Sequence, residues 1–284
     1  MKLLRVGEAG REVPAAVDSQ GNLRDLSGVV DDLCGRSLAP NALQALAKLD
    51  LEALPKLQPA RIGPCVGSVG KIVCIGLNYR DHALEAGLPI PAEPIVFLKA
   101  SSAICGPNDP ILVPAAAEKT DWEVELAVAI GTEASYITED AALTHVAGYC
   151  VFNDLSERSF QFDRGGTWDK GKSCDTFAPL GPWLVTIDEV KDPQDLRLWL
   201  DIDQRRYQDG STRTMIFSLA QIISYVSRFM RLEPGDIIAT GTPPGVGMGQ
   251  KPPVFLKGGE TVRAGIQGLG EQVQRVELRQ PARA

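Results

Sequence analysis

Seven short apolar runs constrain this chain more than any other feature. They are IVCIG, PIVFLK, VELAVAIG, VAGYCVF, PWLVTI, LRLWLDI and DIIATG, all beyond residue 71 and bounded by glycine, proline, asparagine or aspartate. Runs this short, closed by turn formers, read as strands. Helical spacing is clearest near Thr138–His145 and Ser218–Phe229. Twenty prolines and 28 glycines suit an architecture rich in loops. The expected class is α+β, dominated by β structure.

Residues 1–65 have another texture. KLLRV and VPAAVD read as strand, turn, strand, and a helix is expected near Ala39–Leu54. LPKLQPARIGPCVGSVGK, with three prolines and three glycines, then reads as a linker. The division is a small amino-terminal α/β domain, 1–65, and a catalytic domain, 66–284. The closing RQPARA is expected to fray.

The net charge of −7 argues against a nucleic-acid surface, which needs a basic face. No apolar stretch is long enough to span a membrane. The opening MKLLRVGEAGREV meets charges before any apolar segment, so no secretory leader is expected. Six cysteines show no C-x-x-C spacing, and a reducing cytoplasm is the simplest home.

Chemistry concentrates in a few segments. In DWEVELAVAIG, a strand would turn Glu123 and Glu125 to one face, with Cα atoms roughly 6.5–7 Å apart. Two carboxylates on an otherwise apolar face call for a cation, and oxygen ligands suit a hard one. VAGYCVF stops abruptly at Asn153-Asp154. Asp154 would either ligate the cation or cap a helix over LSERSFQ, with Glu157 as its capping-box partner. In GLNYRDHALEAG, His82 and Glu85 share a helical face, the arrangement of a general base and its orienting carboxylate. The flanking glycines and prolines suit a lid. His145 reads as structural. Lys172, in the glycine-bearing loop GGTWDKGKSCDTF, could stabilise an anion. GTPPGVG offers backbone N–H groups and Thr242 as a cradle. Each segment taken alone fits an ordinary surface reading equally well or better.

Together, GLNYRDHALEAG, EPIVFLKASSAICGP, DWEVELAVAIG, GYCVFNDLSER, KGKSCDTFAPLGPW, GTPPGVG and KPPVFLKGGE resemble, in this order, the fumarylacetoacetate hydrolase family. The resemblance covers roughly residues 65 to 278. It is strongest to members acting on 2,4-dioxo acids, above all 2,4-diketo-3-deoxy sugar acids. It implies a mixed β-sandwich or β-roll and a homodimer. It implies Mg²⁺ or Mn²⁺ on Glu123, Glu125 and Asp154, and catalysis by His82, Glu85 and Lys172. Gln161, Lys172 and Thr242 would contact a small 2-oxo acid. The implied reaction is hydrolysis of the C3–C4 bond to pyruvate and a small acid. Oxaloacetate decarboxylation and keto–enol isomerisation would use the same metal site, and a non-catalytic oxo-acid binder is a rival of another class. The tyrosine and arginine that hold the far end of fumarylacetoacetate have no visible counterpart, and Gly165 or Gly166 stands near the tyrosine's place. A different substrate follows.

Overall fold

The computed structural model describes residues 1–58 and 60–279. The expected fraying of RQPARA beyond Arg279 concerns residues outside these. All seven apolar runs form strands. The larger sheet has nine, in the spatial order Leu23–Asp25, Val13–Val17, Lys2–Val6, Leu184–Thr186, Val146–Asn153, Val124–Ile130, Ile237–Ala239, Ile72–Gly76, Ile95–Lys99. Only the pairing of 237–239 with 72–76 is parallel. The central strands 124–130 and 146–153 are buried along their whole length. Burial on both faces is why they read as unbroken apolar runs rather than alternating ones.

A five-stranded sheet runs Arg205–Ser211, Arg197–Ile202, Thr261–Ile266, Gly270–Leu278, Ile111–Val113. Its strands 197–202, 261–266 and 270–278 lie against 124–130 and 146–153, making the mixed sandwich. Leu198, Leu200 and Ala264 share one core with Leu126 and Val128.

The amino-terminal strands extend the larger sheet, because Lys2–Val6 pairs with Leu184–Thr186. Leu3, Leu26 and Leu38 join the same core as Val73 and Val128. The helix expected over Ala39–Leu54 is broken into Pro40–Leu46 and a 3₁₀ turn, Leu51–Ala53. Asp50 is the cause. Its carboxylate accepts from the Glu52 N–H, and aspartate favours such caps over helix interiors. The Ser218–Phe229 segment forms Leu219–Val226, started by a capping box of Ser218 and Gln221. The Thr138–His145 segment forms Glu139–Ala142 and a 3₁₀ turn, Leu143–His145. Among the described residues, no helix is long and apolar enough to cross a membrane, and all six cysteines are unpaired.

Candidate metal centre and active site

Sheet register assembles the carboxylates. Asn153 pairs with Val124 and Phe152 with Glu125. One step further, the Asp154 N–H donates to Glu123 O at 2.8 Å, and the Glu123 N–H donates to Asn153 Oδ1 at 3.0 Å. Glu123, Glu125 and Asp154 are thereby buried with oxygens within 4.8 Å of one another. Asp154 does not cap a helix. Residues Ser156–Glu157 first pair with Thr120–Asp121, so the helix begins only at Arg158, and Glu157 caps it through the Ser159 N–H.

Three cations face this trio. Lys172 was expected in a loop, but it ends a one-turn helix, Asp169–Lys172, and is 2% exposed. Its Nζ lies 2.6 Å from both Glu123 Oε2 and Asp154 Oδ2. Lys99 pairs with Asp154 Oδ1 and donates to Leu155 O at 3.0 Å. Arg158 reaches Glu123 Oε1 at 2.5 Å, Asp121 Oδ2 at 2.9 Å and Gln161 Oε1 at 3.1 Å. Lys99, Arg158 and Asp121 were not anticipated, because charged side chains are ordinarily exposed.

The three carboxylates differ in their electrostatics. Burial opposes ionisation of Glu123, but Arg158 and Lys172 outweigh it and hold the carboxyl below its usual range. Among the described residues Glu125 pairs with no cation, and its one hydrogen bond comes from the Gly241 N–H at 2.8 Å. Burial, then Asp154 and Glu123, push its carboxyl well above the ordinary value. Burial works against the Lys172 charge, yet Asp154 and Glu123 keep its pKa raised. A buried, all-oxygen trio containing a carboxylate without a cation fits a hard divalent ion such as Mg²⁺ or Mn²⁺.

The helix Arg80–Ala86 lines the same cavity as the trio through His82, Glu85 and Ala86. His82 Nδ1 is 3.0 Å from Glu85 Oε2, and that carboxylate favours the tautomer with Nε2 free to accept. Both Glu85 oxygens also accept from the Gly245 N–H, at 2.9 and 3.1 Å. Glycine is required at 245, where φ is +104° and a Cβ would stand 1.9 Å from Tyr207 O. Asp121 accepts from the N–H groups of Gly247 and Met248 at 2.6 and 3.0 Å. The GTPPGVG loop is thus bound at one point to Glu85, the partner of His82, and at another, through Asp121 and Arg158, to Glu123.

One cavity of about 680 Å³ collects His82, Glu85, Glu123, Glu125, Asp154, Gln161, Lys172 and Thr242. The Thr242 hydroxyl is engaged in the scaffold, donating to Val124 O at 2.9 Å and accepting from Gln208 at 2.8 Å. Gln161 accepts from Arg158 through its carbonyl, which leaves its amide NH₂ as a donor. His145 lies outside the cavity lining, its Nδ1 3.3 Å from Thr132 O.

Residues 71–277 match the family model described as the fumarylacetoacetate hydrolase C-terminal domain. A protein of Burkholderia orbicola (strain MC0-3), carrying only a general hydrolase name, is 60% identical over 277 residues, 97% of this chain and 98% of that one. The fumarylacetoacetate hydrolase of psychrophilic Exiguobacterium antarcticum is 34% identical with a TM-score of 0.84, covering 98% of this chain and all of that one. The maleylpyruvate hydrolase of Sphingobium sp. SYK-6, solved with manganese(II) and pyruvate, is 27% identical with a TM-score of 0.82, covering 99% of this chain and all of that one. With its fold, its buried carboxylate trio and these matches, the chain belongs to the fumarylacetoacetate hydrolase family, enzymes that hydrolyse carbon–carbon bonds.

Proposed function

We propose that this protein hydrolyses the C3–C4 bond of a 2,4-dioxo acid, yielding pyruvate and the carboxylic acid of the acyl group. The observation that carries this reading is the shared cavity. The His82–Glu85 pair and the carboxylate trio open onto one space. The manganese and pyruvate of the Sphingobium enzyme lend it support.

Glu123, Glu125 and Asp154 would hold Mg²⁺ or Mn²⁺. Bound there, the ion supplies the Lewis-acid charge that favours the enolate of a 2-oxo acid. His82 Nε2 takes a proton from water while Glu85 fixes the ring through Nδ1. The water oxygen adds to C4, the C3–C4 bond breaks, and C3 is protonated to give pyruvate. The Lys172 ammonium and the Gln161 amide donate to oxygens that gain charge. One water is consumed for each pyruvate and acid released.

Decarboxylation of oxaloacetate needs neither an attacking water nor a base, so the carboxylate-held His82 favours hydrolysis over it, while keto–enol isomerisation, which also moves a proton, differs in releasing no pyruvate. The same pair argues against a mere oxo-acid binder. Six unpaired thiols suit a reducing compartment such as the cytoplasm. The homodimer implied by the family resemblance belongs to the same reading.

A coupled pyruvate assay across 2,4-dioxo acids, with Mg²⁺ or Mn²⁺ and with EDTA, tests the proposal. Metal-dependent release of equimolar pyruvate and acid is expected. Faster CO₂ release from oxaloacetate, or no turnover of any 2-oxo acid with metal bound, would overturn it.

A further inference from the structure

Beyond Lys172 the cavity changes character. The Lys172 Nζ lies 5.1 Å from the centre of the Phe97 ring. Phe97 meets Trp168 edge-on at 5.3 Å, and Trp168 meets Phe162 edge-on at 6.0 Å. An aromatic shelf therefore starts at the cation that pairs with the carboxylate trio and runs outward. Leu88, Ile95 and Met248 belong to the same lining, with Gln250 and Lys251 following Met248. Leu88, Ile95, Phe162 and Met248 are 53%, 38%, 45% and 49% exposed. Apolar side chains scattered singly over a surface need no explanation, but a group gathered at one cavity mouth marks a binding surface.

From these contacts we infer that the substrate's acyl group is apolar and bulky, branched or aryl, rather than hydroxylated or carboxylated. The inference rests on the hydrolase reading for the placement of the dioxo acid. With its 2-oxo acid end at the trio, an acyl group directed past Lys172 toward the cavity mouth lies along the shelf. Edge-on aromatic faces and flexible leucine and methionine side chains suit such a group. The Trp168 indole N–H can donate but not accept. A tail hydroxyl lying against these rings would exchange its water partners for carbon, with the Gln250 amide oxygen as a side-chain acceptor in the same lining. A terminal carboxylate would exchange water for the Trp168 N–H, the Gln250 amide and the exposed Lys251 at the rim, none of them a buried cation, since Arg158 is already bound by Asp121, Glu123 and Gln161. The geometry thus favours an aryl or branched-alkyl acylpyruvate over a 2,4-diketo-3-deoxy sugar acid.

The test compares acetylpyruvate, isovalerylpyruvate, benzoylpyruvate, a tail-hydroxylated analogue and a tail-carboxylated analogue with the Mn²⁺-loaded protein. The expected kcat/KM rises about tenfold or more from acetyl to isovaleryl or benzoyl. It falls below the acetylpyruvate value for the two polar tails. Phe162→Ala and, separately, Leu88→Asn should each shrink the benzoyl-to-acetyl ratio, by about tenfold for Phe162→Ala. A flat profile, or preference for a polar tail, overturns the inference and leaves hydrolysis standing. Absence of pyruvate from every compound strikes the hydrolase reading instead. Calorimetric titration of Mn²⁺-loaded His82→Ala with the same compounds then decides the tail question without turnover. Tighter binding of benzoylpyruvate than acetylpyruvate sustains the inference, and equal binding sinks it.

Discussion

At the floor of the cavity, Glu123 and Asp154 each touch two cationic side chains and are less than a tenth exposed. At its mouth, four large apolar side chains are a third to a half exposed with no polar partner. The floor is held by paired charge and by strand register, so its geometry exists before any ligand arrives. The mouth offers shape and apolar area. On the proposed reading, chemistry and selectivity are therefore separable here. The floor has its own inner contrast, because Asp154 is bound by two lysines while Glu125, among the described residues, is bound by none.

The largest effect should come from Glu125→Gln. It should abolish Mn²⁺ binding, read by paramagnetic resonance, and bring turnover to background without lowering the melting temperature of metal-free protein. Loss of stability there would show that Glu125 is structural. Asp154→Asn should also abolish binding, but it strands Lys99 in the interior and leaves Lys172 with Glu123 alone. Denaturant unfolding should show a loss of about 3–5 kcal/mol. A stability matching Glu125→Gln would erase the contrast between the two carboxylates. His82→Ala should slow hydrolysis by about 10²-fold with Mn²⁺ affinity unchanged. Near-full activity would remove His82 from the base position. Asp121→Asn alters none of the three carboxylates of the trio yet loosens both Arg158 and the Gly247 and Met248 N–H groups. Turnover should fall about tenfold.

The smallest effect is a pH dependence of metal-free stability. The raised Glu125 carboxyl stabilises the fold below its ordinary value of 4.5, and that contribution is lost as pH rises through its folded value. Glu123 is depressed, so its contribution is present above the ordinary 4.5 and lost as pH falls through its folded value. Melting curves of wild type and Glu125→Gln should diverge as pH rises, the variant gaining. Parallel curves would contradict the assignment of Glu125 as the carboxylate without a cation.

The strands were legible because apolar runs of limited length, closed by turn residues, have few other ways to fold. The trio was legible through alternation in DWEVELAVAIG and the abrupt end of VAGYCVF. Its counter-charges were not. Lys99 closes the run PIVFLK, where the apolar Leu98 is exposed and the lysine buried, the reverse of what hydrophobicity predicts. Arg158 has no local signal, since its partners Asp121 and Glu123 lie more than thirty residues away. Pairing of buried charges is a long-range property that sequence spacing does not display. The capping-box pattern misled for a related reason. The short bridge of Ser156–Glu157 to Thr120–Asp121 moved the helix start past Asp154.

Glu85 carries two duties on one carboxylate. It orients the His82 imidazole, and it fastens the helix Arg80–Ala86 to the Gly245 N–H. Access and reactivity are consequently inherited together. A descendant chain that loosened this fastening to admit a larger substrate would also let its imidazole wander. New specificities should therefore arise by resurfacing the shelf at Leu88, Phe162 and Met248, while the histidine and its carboxylate stay fixed.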